Sequence, residues 1–313
     1  MLASVVVPTK GRPERLARAL ASLVAQDRDD WHAVVVDDGA GEGLDVVRSL
    51  GDGRIEALRS PGSGQVDARN AGIARARGRF VCWLDDDDWW VDPRHLSLLA
   101  EVPQDEFAFR AGWIVFADGA REPFDHDATC ASLRVNNTVL TSSIAYPREL
   151  HDSLGPLDRS LGGYCDWDFM LRMCAAGVRP HKLPGLGVCY EIHEDNVSTA
   201  YDAPERRRGF DLFTRKHGLR IRIANHLAIH WQLMSVPEGW SEVENALERE
   251  FRFDDFARAI AFVNRVAELA EGENHHPDVE IHYNRVTLRW STHSAGGITD
   301  RDRELASRSA ELA

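Results

Sequence analysis

Three short apolar runs, SVVVPT, HAVVVDDG and RFVCWLDDDD, limit this chain most, because each stops at polar or acidic residues. Helical periodicity lies between them. In RPERLARALASLVAQ, Leu16, Leu20, Leu23 and Val24 fall at helical spacing, and VDARNAGIARARG also reads as a helix. Such strand–helix alternation predicts a mostly parallel α/β sheet. Ligands of these sheets gather beyond the carboxyl ends of the strands. Pro8-Thr9, Asp37-Asp38 and Asp85 to Asp88 stand at such ends, so three strand tips are expected to face one crevice.

The pattern changes after residue 200. PERRRGFDLFTRKHG reads as a helix stopped by Gly218, followed by a connecting segment that is partly helical. From Trp240 come a strand-like NALEREFRF, a helix opened by Asp254 as N-cap, β-rich VEIHYNRVTLRW, and a last helix after GGIT. Strands and helices without parallel crossovers predict a small α+β domain. The expected division is 1–218, a linker at 219–239, and 240–313. A length of 313 residues suits about two domains of roughly 100–200 residues each.

A net charge of -13 argues against nucleic-acid phosphates as partners. No apolar run has the length of a membrane span. The opening MLASVVVPTKGR lacks the basic flank and long apolar core of a secretory leader, so a cytoplasmic location is expected. Cys82, Cys130, Cys165, Cys174 and Cys189 are scattered, without a CxxC pair, so neither disulfides nor a zinc site are expected.

Two stretches carry chemistry. Four consecutive aspartates at one strand end repel each other, unless they form a solvated loop or a hard divalent cation draws them together. The second stretch is EGENHHPD at residues 271–278. Adjacent histidines point in different directions, and no cysteine or histidine stands nearby at finger-like spacing, so zinc is not indicated. The local text leaves a surface position and an acid–base pair both open.

The ordered blocks VVVPTKGRPERLARALASLVAQ, VVVDDG, ARNAGIARARGRFVCWLDDDDWW and GGYCDWDFMLRM resemble family 2 glycosyltransferases of the GT-A fold over about residues 3 to 200. The resemblance implies a metal-dependent, inverting transfer of a sugar from a nucleotide-diphosphate sugar, commonly UDP-linked, to an acceptor hydroxyl. Asp38 would bind the nucleotide base, with Pro8 and Thr9 lining that pocket and Arg69 near the diphosphate. Asp85 would face the ribose and Asp87 the metal, Mn2+ or Mg2+, while Asp86 or Asp88 could take over either position. His193 would be a further metal ligand. Asp166 would be the base, and Asp168 is a second candidate. Cys165 replaces the family's preceding Glu, which leaves the acceptor unidentified.

The stretch FRFDDFARAIAFVNRVAELAEGENHHPDVEIHYNRVTLRWSTHSAGGITDRDRELA resembles pterin-4a-carbinolamine dehydratases over about residues 240 to 312. It carries Glu271, His275-His276-Pro277, Tyr283, His293 and Asp302 in family order. The resemblance implies that His275, His276 and His293 supply the acid and base that dehydrate a 4a-hydroxytetrahydropterin. Histidine, with a pKa near 6.5, can do both near neutral pH. The alternative is a catalytically silent domain that binds a pterin or drives homo-oligomer formation.

Overall fold

The computed structural model describes residues 1–193, 196, 203–292 and 297–313. The chain divides into two compact units, Met1–Ile229 and His230–Ala313.

The first unit contains strands β1 (Ala3–Thr9), β2 (Trp31–Asp37), β3 (Ile55–Arg59), β4 (Phe80–Trp83), β5 (Trp89–Trp90), β6 (Glu106–Val115), β7 (Arg121–Phe124), β8 (Ala145–Pro147) and β9 (Arg179–Glu191). Helices α1 (Pro13–Val24), α2 (Glu42–Leu50), α3 (Gln65–Ile73), α4 (His95–Leu99), α5 (Leu150–Leu154), α6 (Cys165–Ala175) and α7 (Pro204–His217) connect or follow them. The sheet order is β3-β2-β1-β4-β8-β6-β9-β5, with β7 beside β6. Strands β3, β2, β1 and β4 run parallel, whereas β8 is antiparallel to β4 and β6, and β5 to β9. Strand β9 runs parallel to β6, so the sheet is mixed but, as expected, mostly parallel along its paired length. The antiparallel strands β5 and β8 span only two and three residues, too short for a period-2 signal.

Strands β1 and β2 are buried along their whole length, as their β-branched composition requires of strands covered on both faces. Helix α1 buries Leu16, Ala19, Leu20 and Leu23 against them. On the other face, α6 contributes Trp167, Phe169, Met170 and Met173 to a second core. Contrary to expectation, Cys130 and Cys174 form a disulfide across 44 residues. The fold brings their Cα atoms to 5.5 Å, and no local spacing announces such a pairing. Leu219, Ile221 and Ile223 pack against this second core. Helix α8 (His226–Met234) runs through the middle of the segment read above as a linker.

The second unit holds β10 (Ser241–Val243), β11 (Ala246–Arg252), α9 (Phe256–Glu273), β12 (Asp278–His282), β13 (Arg285–Trp290) and α10 (Asp300–Glu311). Its antiparallel sheet has the order β10-β11-β13-β12. Phe262, Val266 and Ala270 of α9 and Leu305 and Ala306 of α10 pack with Leu247, Phe251, Val286, Leu288 and Trp290 of the sheet. The N-cap of α9 is Asp255, whose carboxylate accepts the Arg258 N–H at 2.8 Å. Asp254, the expected cap, instead pairs with the Arg258 side chain at 2.9 Å.

Candidate active sites

The DD pair ending β2 divides its labour because successive side chains on a strand point to opposite faces. Asp37 turns inward and accepts N–H bonds from Gly39 at 2.6 Å and Gly43 at 2.7 Å, anchoring the start of α2. A Cβ on Gly43 would lie 2.7 Å from Thr9 and 2.9 Å from Asp37, so the close approach needs glycine. Asp38 points the other way, into a cavity of about 820 Å3. It accepts from Gly64 N–H at 2.9 Å and from Lys10 at 3.3 Å.

Pro8, Thr9, Asp38, Arg69, Asp85, Asp86, Asp87 and Asp166 all line this one cavity. The aspartate run is not a solvated loop, since Asp86, Asp87 and Asp88 are buried. Asp85 accepts from Arg69 at 2.5 Å. Asp86 accepts from the Thr9 hydroxyl at 2.7 Å and from Arg12 at 3.2 Å. Asp87 is held by Arg12 and by His193 Nε2 at 2.9 Å. Asp88 accepts from Ser142 Oγ at 2.5 Å and from Glu191 N–H at 3.2 Å.

Burial and the neighbouring Asp87 push the Asp86 carboxyl up to about 6. Burial raises Asp85, with Asp87 adding to the shift and Arg69 opposing it. Burial, Asp87 and Asp85 together raise Asp88. Burial would also raise Asp87, but the His193 hydrogen bond and Arg12 outweigh it and hold this carboxyl below its usual range.

Asp166 sits in the first turn of α6, where its carboxylate accepts from Thr141 Oγ1 at 2.7 Å and from Trp167 N–H at 2.7 Å. Asp168, the second candidate base, is fully buried and engaged by Arg172, Lys216 and His217 at 2.8–2.9 Å. That network ties α7 to α6, and Asp168, unlike Asp166, does not line the cavity. The Cys165 thiol is buried, and burial pushes its pKa up to about 12.

In the second unit, EGENHHPD spans the end of α9. Left-handed Asn274 (φ 49) stops the helix, and His275 and His276 follow before β12 begins. His275 Nε2 meets Asp302 Oδ1 at 2.7 Å, and its ring stacks 5.7 Å from that of Trp290. Asp302 is also part of the capping box that starts α10, accepting from the Thr299 N–H and from the Thr292 and Thr299 hydroxyls, each at 2.7 Å. His276 Nε2 lies 3.1 Å from Glu271 Oε1, both exposed. Tyr283 occupies the β12–β13 turn, 70% exposed, its ring stacked against Phe256. His293 lies outside the described residues.

Residues 4–146 match the glycosyl transferase family 2 sequence model, and residues 223–312 match that of pterin 4 alpha carbinolamine dehydratase. The uncharacterized glycosyltransferase YwdF of Bacillus subtilis is 33% identical over 251 residues, covering 76% of this chain and 91% of that protein. A Gloeobacter violaceus protein assigned by name to the pterin-4-alpha-carbinolamine dehydratases is 58% identical over 76 residues, 24% of this chain and 77% of that protein. The chain belongs to glycosyl transferase family 2, and its C-terminal part to the pterin-4a-carbinolamine dehydratase family.

Solved structures agree on the fold of the transferase unit. S. aureus TarS 1-349 in complex with UDP-GlcNAc is similar at TM-score 0.56 and 21% identity, over 69% of this chain and 66% of that one. The mannosyltransferase PcManGT from Pyrobaculum calidifontis, in complex with GDP-Man and Mn2+, has a TM-score of 0.54 at 15% identity, over 74% of this chain and 70% of that one. The chain thus spans just under two thirds of the TarS fragment. The transferase unit has the GT-A fold.

Ligand oxygens of Asp85, Asp87 and Asp88 lie within 4.8 Å of one another. Hard oxygen donors, two of them with raised pKa values from burial and mutual repulsion, fit a divalent cation. Sequence reasoning missed Arg12, Asn137, Thr141, Tyr190 and His226 around the cavity. Arg12 stands inside the block VVVPTKGRPERLARALASLVAQ but is given no role there, and the fold brings the other four to the cavity. No helix among the described residues is long and apolar enough to cross a membrane.

Proposed function

We propose that the transferase unit moves a sugar from a nucleoside-diphosphate sugar, UDP-linked, to an acceptor hydroxyl with inversion at the anomeric carbon. The observation that carries this reading is the single cavity lined by Asp38 and Pro8, by the aspartate run, and by Asp166. Asp38 and Pro8 hold the base, Thr9 lines the same end, and Arg69 faces the diphosphate. Asp166 takes the hydroxyl proton as the oxygen attacks, which a weak nucleophile requires. Asp87, with Asp85, Asp88 and His193 around it, would hold Mn2+ or Mg2+, which supplies positive charge against the departing diphosphate. Binding of UDP-GlcNAc by TarS, and of GDP-Man and Mn2+ by PcManGT, supports this donor class and metal.

UDP release from UDP-GlcNAc with Mn2+ tests the transferase assignment. Asp166→Asn is expected to slow it by at least ~100-fold, the ordinary scale of general-base catalysis, with UDP still bound. Undiminished release by that variant would remove Asp166 from its role.

For the dehydratase unit, the proposed reaction is loss of water from a 4a-hydroxytetrahydropterin. His275, His276 and His293 share protonation of the leaving hydroxyl and removal of the ring-nitrogen proton, and Asp302 orients His275. The His275–Asp302 pair supports this reading, because a carboxylate on one ring nitrogen fixes the tautomer presented by the other. His275→Ala should abolish acceleration of the dehydration. No acceleration by the native chain would leave a silent module. Self-association through this unit is favoured by β12, an edge strand exposed at every residue, Val279 and Ile281 included. Sedimentation of native protein against Ile281→Lys checks it.

A further inference from the structure

The dehydratase family match opens at residue 223, yet its first residues line the transferase cavity. Asn225, His226 and Ile229 face the same space as Asp166, and all three belong to the compact unit that ends at Ile229. The Asn225 carboxamide oxygen accepts the Ala228 N–H at 2.8 Å, which starts α8. Leu227 packs on Ile114, Phe124 and Leu140. The His226 ring stands edge-on to Phe124 and Tyr190, each centroid 5.6 Å away.

His226 Nε2 lies 3.0 Å from the Val139 carbonyl oxygen. A carbonyl only accepts, so this contact places the proton on Nε2. The Val139 N–H donates to the Asn137 side chain at 3.2 Å, and two residues on, Thr141 Oγ1 donates to Asp166 Oδ2 at 2.7 Å. The other Asp166 oxygen is set by the adjacent Trp167 N–H at 2.7 Å. Among the described residues, Thr141 is therefore the long-range hydrogen-bond donor to this carboxylate, and the loop that carries Thr141 is tied down from outside by His226.

We propose that His226 is a positioning residue of the transferase: by holding the Val139 carbonyl it fixes Thr141, and through Thr141 the Asp166 carboxylate. The opening residues of the dehydratase family segment thus complete the acceptor end of the transferase site. This inference rests on Asp166 being the base. A base must be held to within about 0.5 Å of productive geometry, and a displacement of roughly 1 Å can cost on the order of 100-fold in rate.

Full-length variants test it. His226→Phe keeps a ring between Phe124 and Tyr190 but removes the donor, whereas His226→Gln returns an N–H at similar reach. Three quantities are followed: UDP release from UDP-GlcNAc with Mn2+, the Kd of UDP, and amide exchange at Ser143 and Ile144. Those two amides close the turn onto the Leu140 and Thr141 carbonyls at 2.9 and 3.2 Å. His226→Phe is expected to lower kcat at least ~10-fold, leave the UDP Kd unchanged and speed that exchange, and His226→Gln to restore most of both. Should His226→Phe fold poorly, Thr141→Val must show the same kcat loss at unchanged Kd. If both fold, the double variant should be no worse than the poorer single one, because the two act in series. Unchanged kcat in His226→Phe, or additive losses, overturns the proposal. If the native protein hydrolyses neither UDP-GlcNAc nor GDP-mannose, the donor assignment fails, and exchange alone decides: unchanged exchange in His226→Phe overturns the tie to Thr141, faster exchange upholds it.

Discussion

The candidate sites of the transferase and dehydratase units are assembled in opposite ways. In the transferase unit, Thr9 meets Asp86 across 77 residues, His193 meets Asp87 across 106, and Thr141 meets Asp166 across 25. The carboxylates are mostly buried, and opposing strands and loops hold each one. In the dehydratase unit, Glu271 and His276 lie five residues apart, and His275 reaches Asp302 across 27, through one helix end and one capping box. A site gathered from distant strand tips exists only when its whole sheet is folded. A site at a helix terminus needs much less of the chain in place. The two should therefore respond differently to almost any perturbation.

The largest effect expected is a clean separation of activities. Asp166→Asn should remove sugar transfer by ~10²–10⁴-fold and leave pterin dehydration at its native rate, and His275→Ala should do the reverse. Both activities measured on one preparation of each variant decide this. A parallel loss of dehydration in Asp166→Asn would break the comparison, because the second site would then depend on the first.

Reduction is the next lever. All five cysteines precede residue 190, and the Cys130–Cys174 bond closes a 44-residue separation within the transferase unit. In the chain-entropy account, opening a loop of that size costs about 4 kcal/mol. Dithiothreitol should therefore lower the calorimetric transition of the transferase unit alone, and Cys130→Ser should abolish that sensitivity. Equal shifts of both transitions would refute it.

Acid should also distinguish the units. Burial, with help from Arg110, pushes His95 down to about 3, and burial pushes His151 down to about 4. Both are neutral in the native transferase unit, while the unfolded chain protonates them near pH 6.5. Their stabilisation is present above pH 6.5 and is lost as pH falls towards 4 and 3, because the unfolded state takes up the protons. At pH 5.5 each costs about 1.4 kcal/mol. In the dehydratase unit burial would raise Asp302, but hydrogen bonds from His275, Thr299 and Thr292 outweigh it and lower its pKa. That stabilisation is present above the ordinary carboxylate pKa of about 4 and is lost only below it. The raised carboxyls of Asp85, Asp86 and Asp88 act in the opposite sense, because there the folded state takes up the protons as pH falls. The histidine part is therefore read by difference: between pH 7 and 5.5 the transferase transition of His151→Gln should lose less than the native one, while the dehydratase transition should not differ between the two proteins.

The strand tips were legible in the sequence because buried strands write themselves as β-branched runs, and a run of polar residues after one can only lie at its end. That logic places Thr9, Asp38 and the aspartate run beside one cavity. It says nothing of Arg12, which answers Asp86 and Asp87 from the loop before α1, or of Thr141 on an irregular segment. The two-residue β5 and three-residue β8 are set by their neighbours in the sheet, so their own residues carry no period. The aspartate pair at 254–255 shows the limit at finer grain: composition indicates a cap, but only backbone conformation chooses which residue makes it.

That choice gives the smallest effect. Asp255 stands in extended conformation and accepts the Arg258 N–H at 2.8 Å, satisfying one donor left open at the start of α9. Loss of such a cap costs typically about 1 kcal/mol. Asp254 pairs with the Arg258 side chain, and both groups are largely in water, where ion pairs contribute between nothing and roughly 1 kcal/mol. Asp255→Ala should therefore lower the dehydratase transition by more than Asp254→Ala, and neither should move the transferase transition. Equal shifts from the two alanines would mean that the cap is shared, and a larger effect of Asp254→Ala would place the helix start one residue earlier.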